Sequence, residues 1–220
     1  MMEKYNECLL CKSENIVDLY TVKSFTFSKC KDCTLCFIRE ILSDKYLKNF
    51  YIITPEQKEE MKEVDVYFNE SNMKNLDYTY KSVANRIHKE FSFSQANNKR
   101  RLLDLGCSSG GFFKFFPDWD VYGIEIEEEV GNIAKAKYEN VFVGDMKDAN
   151  FEENFFDCIT IQDALDHSNN PSFVVSNCYK LLKDDGIIII KVHNINCFLA
   201  RITGKKFYAI IPPSHLTYFN

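Results

Sequence analysis

Residues 101–113 (RLLDLGCSSGGFF) constrain the fold more than any other stretch: Leu102, Leu103 and Leu105 run into Gly106, Gly110 and Gly111, and a helical pattern follows. A strand that stops at a glycine turn and continues as helix opens a βα unit, and open α/β sheets bind ligands at the carboxyl ends of such strands. Glycine's missing Cβ permits positive φ and close approach of a ligand, while the helix start offers N–H groups. Further short apolar runs at residues 120–125, 140–143, 157–161 and 186–192 alternate with helical patterns at 111–116, 127–138 and 172–183. Pro171 suits the first turn of the last helix. This alternation predicts right-handed βαβ crossovers and an α/β fold: a mainly parallel sheet with helices on both faces. The run Ile187, Ile188, Ile189, Ile190 reads as a central, buried strand.

The chain of 220 residues is 45% hydrophobic, enough to bury one substantial core plus a small appendage. A net charge of −5 and a pI near 5.5 argue against a nucleic-acid backbone as the main partner. No signal-peptide core and no apolar run near the ~20 residues of a membrane span is found, so the expected location is cytoplasmic. There, disulfides do not persist, and the nine Cys are to be read as metal ligands, reactive thiols or core residues. Five of them fall within the first 36 residues. Cys8-x-x-Cys11 and Cys30-x-x-Cys33 form two knuckles that together make a tetrahedral four-cysteine site for a structural zinc, whose binding supplies folding free energy a module of this size lacks. Cys36, between Leu35 and Phe37, is expected as a core thiol, and Cys158, Cys178 and Cys197 as packing residues; Cys107 is a packing residue bordering the ligand pocket.

Sequence texture divides the chain into three blocks. Residues 1–42 form a small β-rich, zinc-binding module with apolar strips at Phe25 to Phe27 and Cys36 to Ile38. Residues 43–98 read as a helical connector, with Tyr46, Leu47, Phe50, Tyr51, Met61, Val64, Phe68, Tyr80, Val83 and Ile87 at helical spacings, closed by Phe91 and Phe93. After a polar loop at 94–99 the α/β domain occupies residues 99–220.

The glycine turn is not a dinucleotide loop. G-x-G-x-x-G needs a glycine where Ser108 stands, and Asp104, two residues before Gly106, contributes nothing to anion binding. The spacing instead resembles D-x-G-x-G-x-G, motif I of the class I S-adenosylmethionine (SAM) dependent methyltransferases, with Ser108 in place of the middle glycine. The methionine end of SAM carries an ammonium and a sulfonium beside its carboxylate, which suits a strand-end acid and loop N–H groups. The resemblance continues in order. Glu125, about twenty residues on, matches the acid for the ribose hydroxyls. Asp145 and Met146 match the adenine segment, and Gln162, Leu165 to His167 and residues 181–186 match the fourth strand, its loop and the turn into the fifth. A Rossmann-like fold is implied, with Asp104, Gly106, Cys107, Ser108, Gly110, Glu125, Ile126, Asp145, Met146 and Gln162 at the cofactor.

Two Cys knuckles, a tyrosine-rich connector and motif I, in that order, resemble the methyltransferase family with an N-terminal zinc-binding domain that includes deoxysugar C-methyltransferases. The resemblance implies methyl transfer to a small-molecule acceptor, a nucleotide-linked sugar or glycan precursor. His167 and His215 match histidines implicated in that chemistry, although Ser214 replaces the Glu that precedes the second of them. His193 is a third candidate and His88 a surface residue. Relatives continue beyond the fifth strand into a helix and an antiparallel hairpin; this sequence reaches Asn220 without them, and its C-terminal strands are read as missing. Two other functions fit the same motifs: an RNA methyltransferase whose zinc module recognises RNA, and a non-catalytic SAM- or nucleotide-binding or zinc-organised interaction protein.

Overall fold

The computed structural model of the chain describes residues 2–43, 46–47, 70–92 and 99–220. The connector positions Phe50, Tyr51, Met61, Val64 and Phe68, together with Phe93 and loop residues 94–98, lie outside them. Two compact units form: Met1–Phe50 with Ile161–Lys180 and Ile189–Asn220, and Tyr51–Thr160 with Leu181–Ile188. They cut across the consecutive blocks 1–42, 43–98 and 99–220, because residues 189–220 pack with the N-terminal strands. Among the described residues no helix is long and apolar enough to cross a membrane.

The second unit carries most of an α/β sheet. Strands β4 (Arg101–Leu105), β5 (Asp120–Glu125), β6 (Val141–Val143), β7 (Phe156–Gln162) and β8 (Leu182–Lys191) take the order β6-β5-β4-β7-β8. The β4–β5 pair is parallel from Arg101↔Asp120 to Leu105↔Ile124, and β5–β6 is parallel with Gly123 opposite Val141. Leu102, Leu103, Phe156 and Ile159 are fully buried, as expected of strands covered on both faces. Strand β8 differs from expectation: it stands at the edge of the sheet, starts at Leu182 and leaves Ile190 38% exposed. Four apolar residues in a row satisfy both faces of a strand but say nothing of its lateral position.

Helix α1 (Glu70–Phe91) buries Ala84 and Ile87. Exposed His88 is not simply solvated: a ring nitrogen lies 2.9 Å from the Phe115 carbonyl, and the ring leans on Phe116. The helix expected at 111–116 tightens to a 3-10 turn, Phe113–Phe115, because buried Phe112, Phe113 and Phe116 hold it against the core. Helix α2 (Glu128–Lys135) starts where the Glu127 carboxylate accepts from Glu129 N at 3.1 Å and Val130 N at 2.8 Å; Glu128 and Glu129 in its first turn and Lys135 in its last complement the helix dipole. Helix α3 (Pro171–Leu181) begins at the expected proline.

The first unit is built on an antiparallel sheet, β1 (Ile16–Val22), β2 (Phe25–Cys30), β3 (Cys36–Ile38) and β9 (Thr217–Tyr218), in the order β1-β2-β3-β9. Both apolar strips singled out in the sequence lie in strands. The hairpin expected to be missing from the α/β sheet is not in it; the C-terminal residues form a short strand that pairs Cys36↔Tyr218 and Phe37↔Thr217 in this second sheet. Between β8 and β9 lies α4 (Phe198–Thr203). One core gathers Phe25, Phe27, Ile38, Phe207, Leu216 and Tyr218, each such side chain contributing about 1.5–3 kcal/mol on burial. Cys36 sits in it as the expected core thiol, its pKa pushed by burial to about 11.

Candidate functional site

At the end of β4 the chain passes through Gly106 (φ 74°), Ser108 (φ 48°) and Gly110 (φ 76°). Glycine takes these left-handed angles without steric cost, whereas Ser108, standing where motif I has its middle glycine, takes them at about 1–2 kcal/mol. That strain is held by one hydrogen bond: Ser108 N donates to Glu125 Oε2 at 2.8 Å. A Cβ on Gly110 would lie 2.9 Å from the Tyr138 ring. Gly110→Ala is therefore expected to lower stability by about 1–3 kcal/mol, from the backbone angle and the displaced ring together, read as a fall in thermal midpoint; an unchanged midpoint would mean that the turn can relax.

The turn is more self-satisfied than the sequence implied. Gly106 N and Cys107 N both donate to Ile124 O, and Gly110 N donates to Cys107 O. The Cys107 thiol is 2% exposed, packs with Phe113, Ala134 and Val141, and touches Gly123, where a Cβ would come within 2.6 Å of the sulfur. Burial pushes this thiol up, the Asp104 and Glu125 charges adding to the effect.

Glu125 ends β5 with its carboxylate buried, accepting from Ser108 N and, at 2.9 Å, from Glu127 N. Burial raises its pKa, outweighing those backbone donors. Its neighbour Ile126 is 48% exposed and offers an apolar surface. Asp104 is 3% exposed and accepts the Thr160 hydroxyl at 2.6 Å, a partner from β7 that the sequence reading missed. Asp145 caps the 3-10 turn Met146–Asp148 through Lys147 N, and Met146 is half-buried. Gln162, closing β7, has both amide atoms buried with no hydrogen-bond partner.

A second constellation lies in the first unit. Asp166 and His167 occupy the 3-10 turn Leu165–His167 after β7, and His193 follows β8. Asp166, 2% exposed, is the hub: its Oδ2 is 3.0 Å from His193 Nδ1 and 3.8 Å from His215 Nε2, and its Oδ1 is 3.9 Å from His167 Nε2. The His215 ring lies 4.8 Å from that of His167 and 5.1 Å from that of His193. Burial raises the Asp166 carboxyl, but the His193 hydrogen bond and the other imidazoles outweigh it and hold the group low. Burial lowers His167, whereas the Asp166 hydrogen bond raises His193. The sequence singled out His167 and His215, with His193 as a third candidate; the structure brings the three together and adds Asp166.

The four predicted cysteines converge. Cys8 Sγ is 3.4 Å from Cys33 Sγ, Cys11 Sγ is 3.6 Å from Cys30 Sγ, and all four sulfurs lie within 4.8 Å of one another. Such a set can hold one metal ion.

The strand order and the glycine turn define a Rossmann-like α/β fold. Residues 103–190 match the model of the family described as a methyltransferase domain. The ubiquinone biosynthesis O-methyltransferase of Neisseria meningitidis serogroup A is 29% identical over 110 residues, covering 44% of this chain and 45% of that protein. An uncharacterized protein of Methanocaldococcus jannaschii is 29% identical over 108 residues, covering 49% and 52%. The chain spans about half the length of the curated relatives it matches. Among solved structures, the plantazolicin methyltransferase BpumL in complex with SAH aligns at a TM-score of 0.53 and 19% identity over 67% of this chain and 57% of that one. The PH0226 protein of Pyrococcus horikoshii OT3 aligns at 0.50 and 20% identity over 70% and 66%. At these identities the likeness is one of fold.

Proposed function

We propose that the chain transfers the methyl group of SAM to a small-molecule acceptor. The observation that carries this reading is Glu125, a buried strand-end carboxylate tied to the backbone of the glycine turn. A carboxylate offers about four lone-pair sites, and the two backbone donors use two, leaving acceptors for a pair of ribose hydroxyls. The exposed side chain of Ile126, next to Glu125, fits an apolar face of the same nucleoside. SAM supplies an electrophilic methyl on a good leaving group. The protein's share is to hold it and to align the acceptor, which is worth several kcal/mol. A carbon or oxygen acceptor also loses a proton, a role we give to His167 or His215.

Cys8, Cys11, Cys30 and Cys33 fit a structural zinc: thiolates about 2.3 Å from a tetrahedral ion stand about 3.8 Å apart, close to the distances found. A nucleotide-linked sugar or glycan precursor remains the proposed acceptor, on the order of sequence motifs alone.

Titration calorimetry of the full chain with SAH and with NAD is the test. Saturable SAH binding at one per chain is expected and NAD is expected to give no heat; NAD binding without SAH binding would overturn the reading. Label from methyl-labelled SAM should then reach sugar nucleotides rather than RNA, and transfer to RNA alone would replace the sugar acceptor.

A further inference from the structure

The cluster around Asp166 poses an electrostatic problem that its own hydrogen bonds do not solve. His215 Nδ1 lies 2.7 Å from the Ala209 carbonyl oxygen. A carbonyl only accepts, so Nδ1 carries a proton, and an uncharged ring then presents its lone pair at Nε2. That lone pair faces Asp166 Oδ2 at 3.8 Å, with His215 only 6% exposed and Asp166 2%. Two buried acceptors face each other there, too far apart for a hydrogen bond. The remaining oxygen, Oδ1, is buried with no hydrogen-bond partner. His193 brings a nitrogen to within 3.0 Å of Oδ2. A cation between Oδ2 and the two ring nitrogens would give each of these acceptors a partner.

We infer that Asp166, His193 and His215 form a second metal site, separate from the cysteines, that holds a divalent transition-metal ion. One ligand atom from each of the three residues lies within 4.8 Å of the others. Donors bound at about 2.1 Å to one ion stand about 3.0 to 3.4 Å apart; the two separations from Asp166, 3.0 and 3.8 Å, lie near that range, and the two histidine nitrogens lie within 4.8 Å of each other. The surroundings are those of a ligand set. The bond from His215 Nδ1 to a backbone carbonyl is the usual device that fixes the tautomer and aim of a ligating imidazole. Leu216 N donates to the Asp166 carbonyl and the Tyr218 hydroxyl to the His215 carbonyl, so both ligands sit on anchored backbone. Two imidazoles and one carboxylate suit zinc, iron, cobalt or nickel, whereas magnesium and calcium favour oxygen donors throughout. Three protein donors leave coordination positions open. The ligand class they take is an oxygen donor, a hydroxyl or carboxylate; that this oxygen belongs to the methyl acceptor rests on the proposed activity, while the ion does not.

The test uses the full chain produced in zinc-depleted medium supplied with Co2+, so that the cysteine site holds cobalt: its metal content is measured and it is then titrated with further Co2+. Thiolate-to-cobalt charge transfer marks any ion among the cysteines, and an ion bound by nitrogen and oxygen lacks that band. The total, bound on purification plus taken up, is expected at two equivalents per chain, one of them without charge transfer. In His193→Asn and in His215→Asn that equivalent should weaken at least about tenfold while the cysteine equivalent stays. His193 is the safer variant for folding, since its side chain is 24% exposed. A wild-type chain with no equivalent free of the thiolate band, or one that keeps it in both variants, would overturn the inference. A chain lacking only the charge-transfer equivalent would instead refute zinc at the cysteines.

Discussion

Replacing Cys11 with serine is expected to unfold the N-terminal sheet, even though Cys11 is exposed and stands in no hydrophobic cluster. An exposed side chain away from special features changes stability by about 0.5 kcal/mol or less. A structural zinc ligand is different, because apparent binding free energies of about 10–16 kcal/mol are folding free energy in a small module. The apolar packing beside the sulfurs is small by comparison: among the described residues that cluster buries Cys8, Leu9, Cys30, Leu35 and Phe37, the larger core of the sheet being built on Phe25, Phe27, Cys36 and Ile38. Cys11→Ser should therefore release the metal and leave residues 1–40 open to protease while the α/β unit keeps its far-ultraviolet signal. A chelator should do the same to the wild type, and an unchanged thermal midpoint in the variant with metal retained would remove Cys11 from the ligand set.

Glu125→Ala should weaken SAH binding about a hundredfold. Two charge-assisted hydrogen bonds to ribose hydroxyls at about 1.5 kcal/mol each come to about 3 kcal/mol, or two decades of affinity. The same change removes the acceptor for Ser108 N, the bond that holds a non-glycine residue at φ 48°. Glu125→Gln keeps the shape and one neutral acceptor oxygen, so it should lose less than the alanine variant. Calorimetric titration measures both. Binding within threefold of the wild type in Glu125→Ala would mean that the ribose hydroxyls are held elsewhere.

The sequence told most where one residue type had one structural use. Strands β4 and β5 have the bounds their apolar runs predicted, and the left-handed angles fall on Gly106 and Gly110 as a glycine turn requires. The four metal-spaced cysteines converge because spacing within each knuckle is local. What could not be read was long-range. Leu182 to Asp185 looked like a turn, since Lys183, Asp184 and Asp185 have little strand propensity; in the fold Lys183 is held by an ion pair to Asp157 at 2.7 Å. Asp166 looked like one acid among many. Only the fold shows it buried among three histidines drawn from residues 167, 193 and 215. Thr160 gave no signal at all, being one polar residue in an apolar strand.

The pairing of β3 with β9 bears on how the chain reaches this state. Phe37 leaves the ribosome well before its partner Thr217, so the antiparallel sheet cannot be completed until the whole chain between them has been made. Long-range pairings of this kind slow folding, because a large loop must close before any contact rewards it. Until then the edge of β3 offers its unpaired N–H and C=O groups to any extended segment nearby. A metal already bound by the cysteines would hold β2 and β3 in register through that interval. Early metal loading would then act as a kinetic safeguard for the nascent chain, and starvation for zinc during expression should show first as aggregation rather than as lost activity.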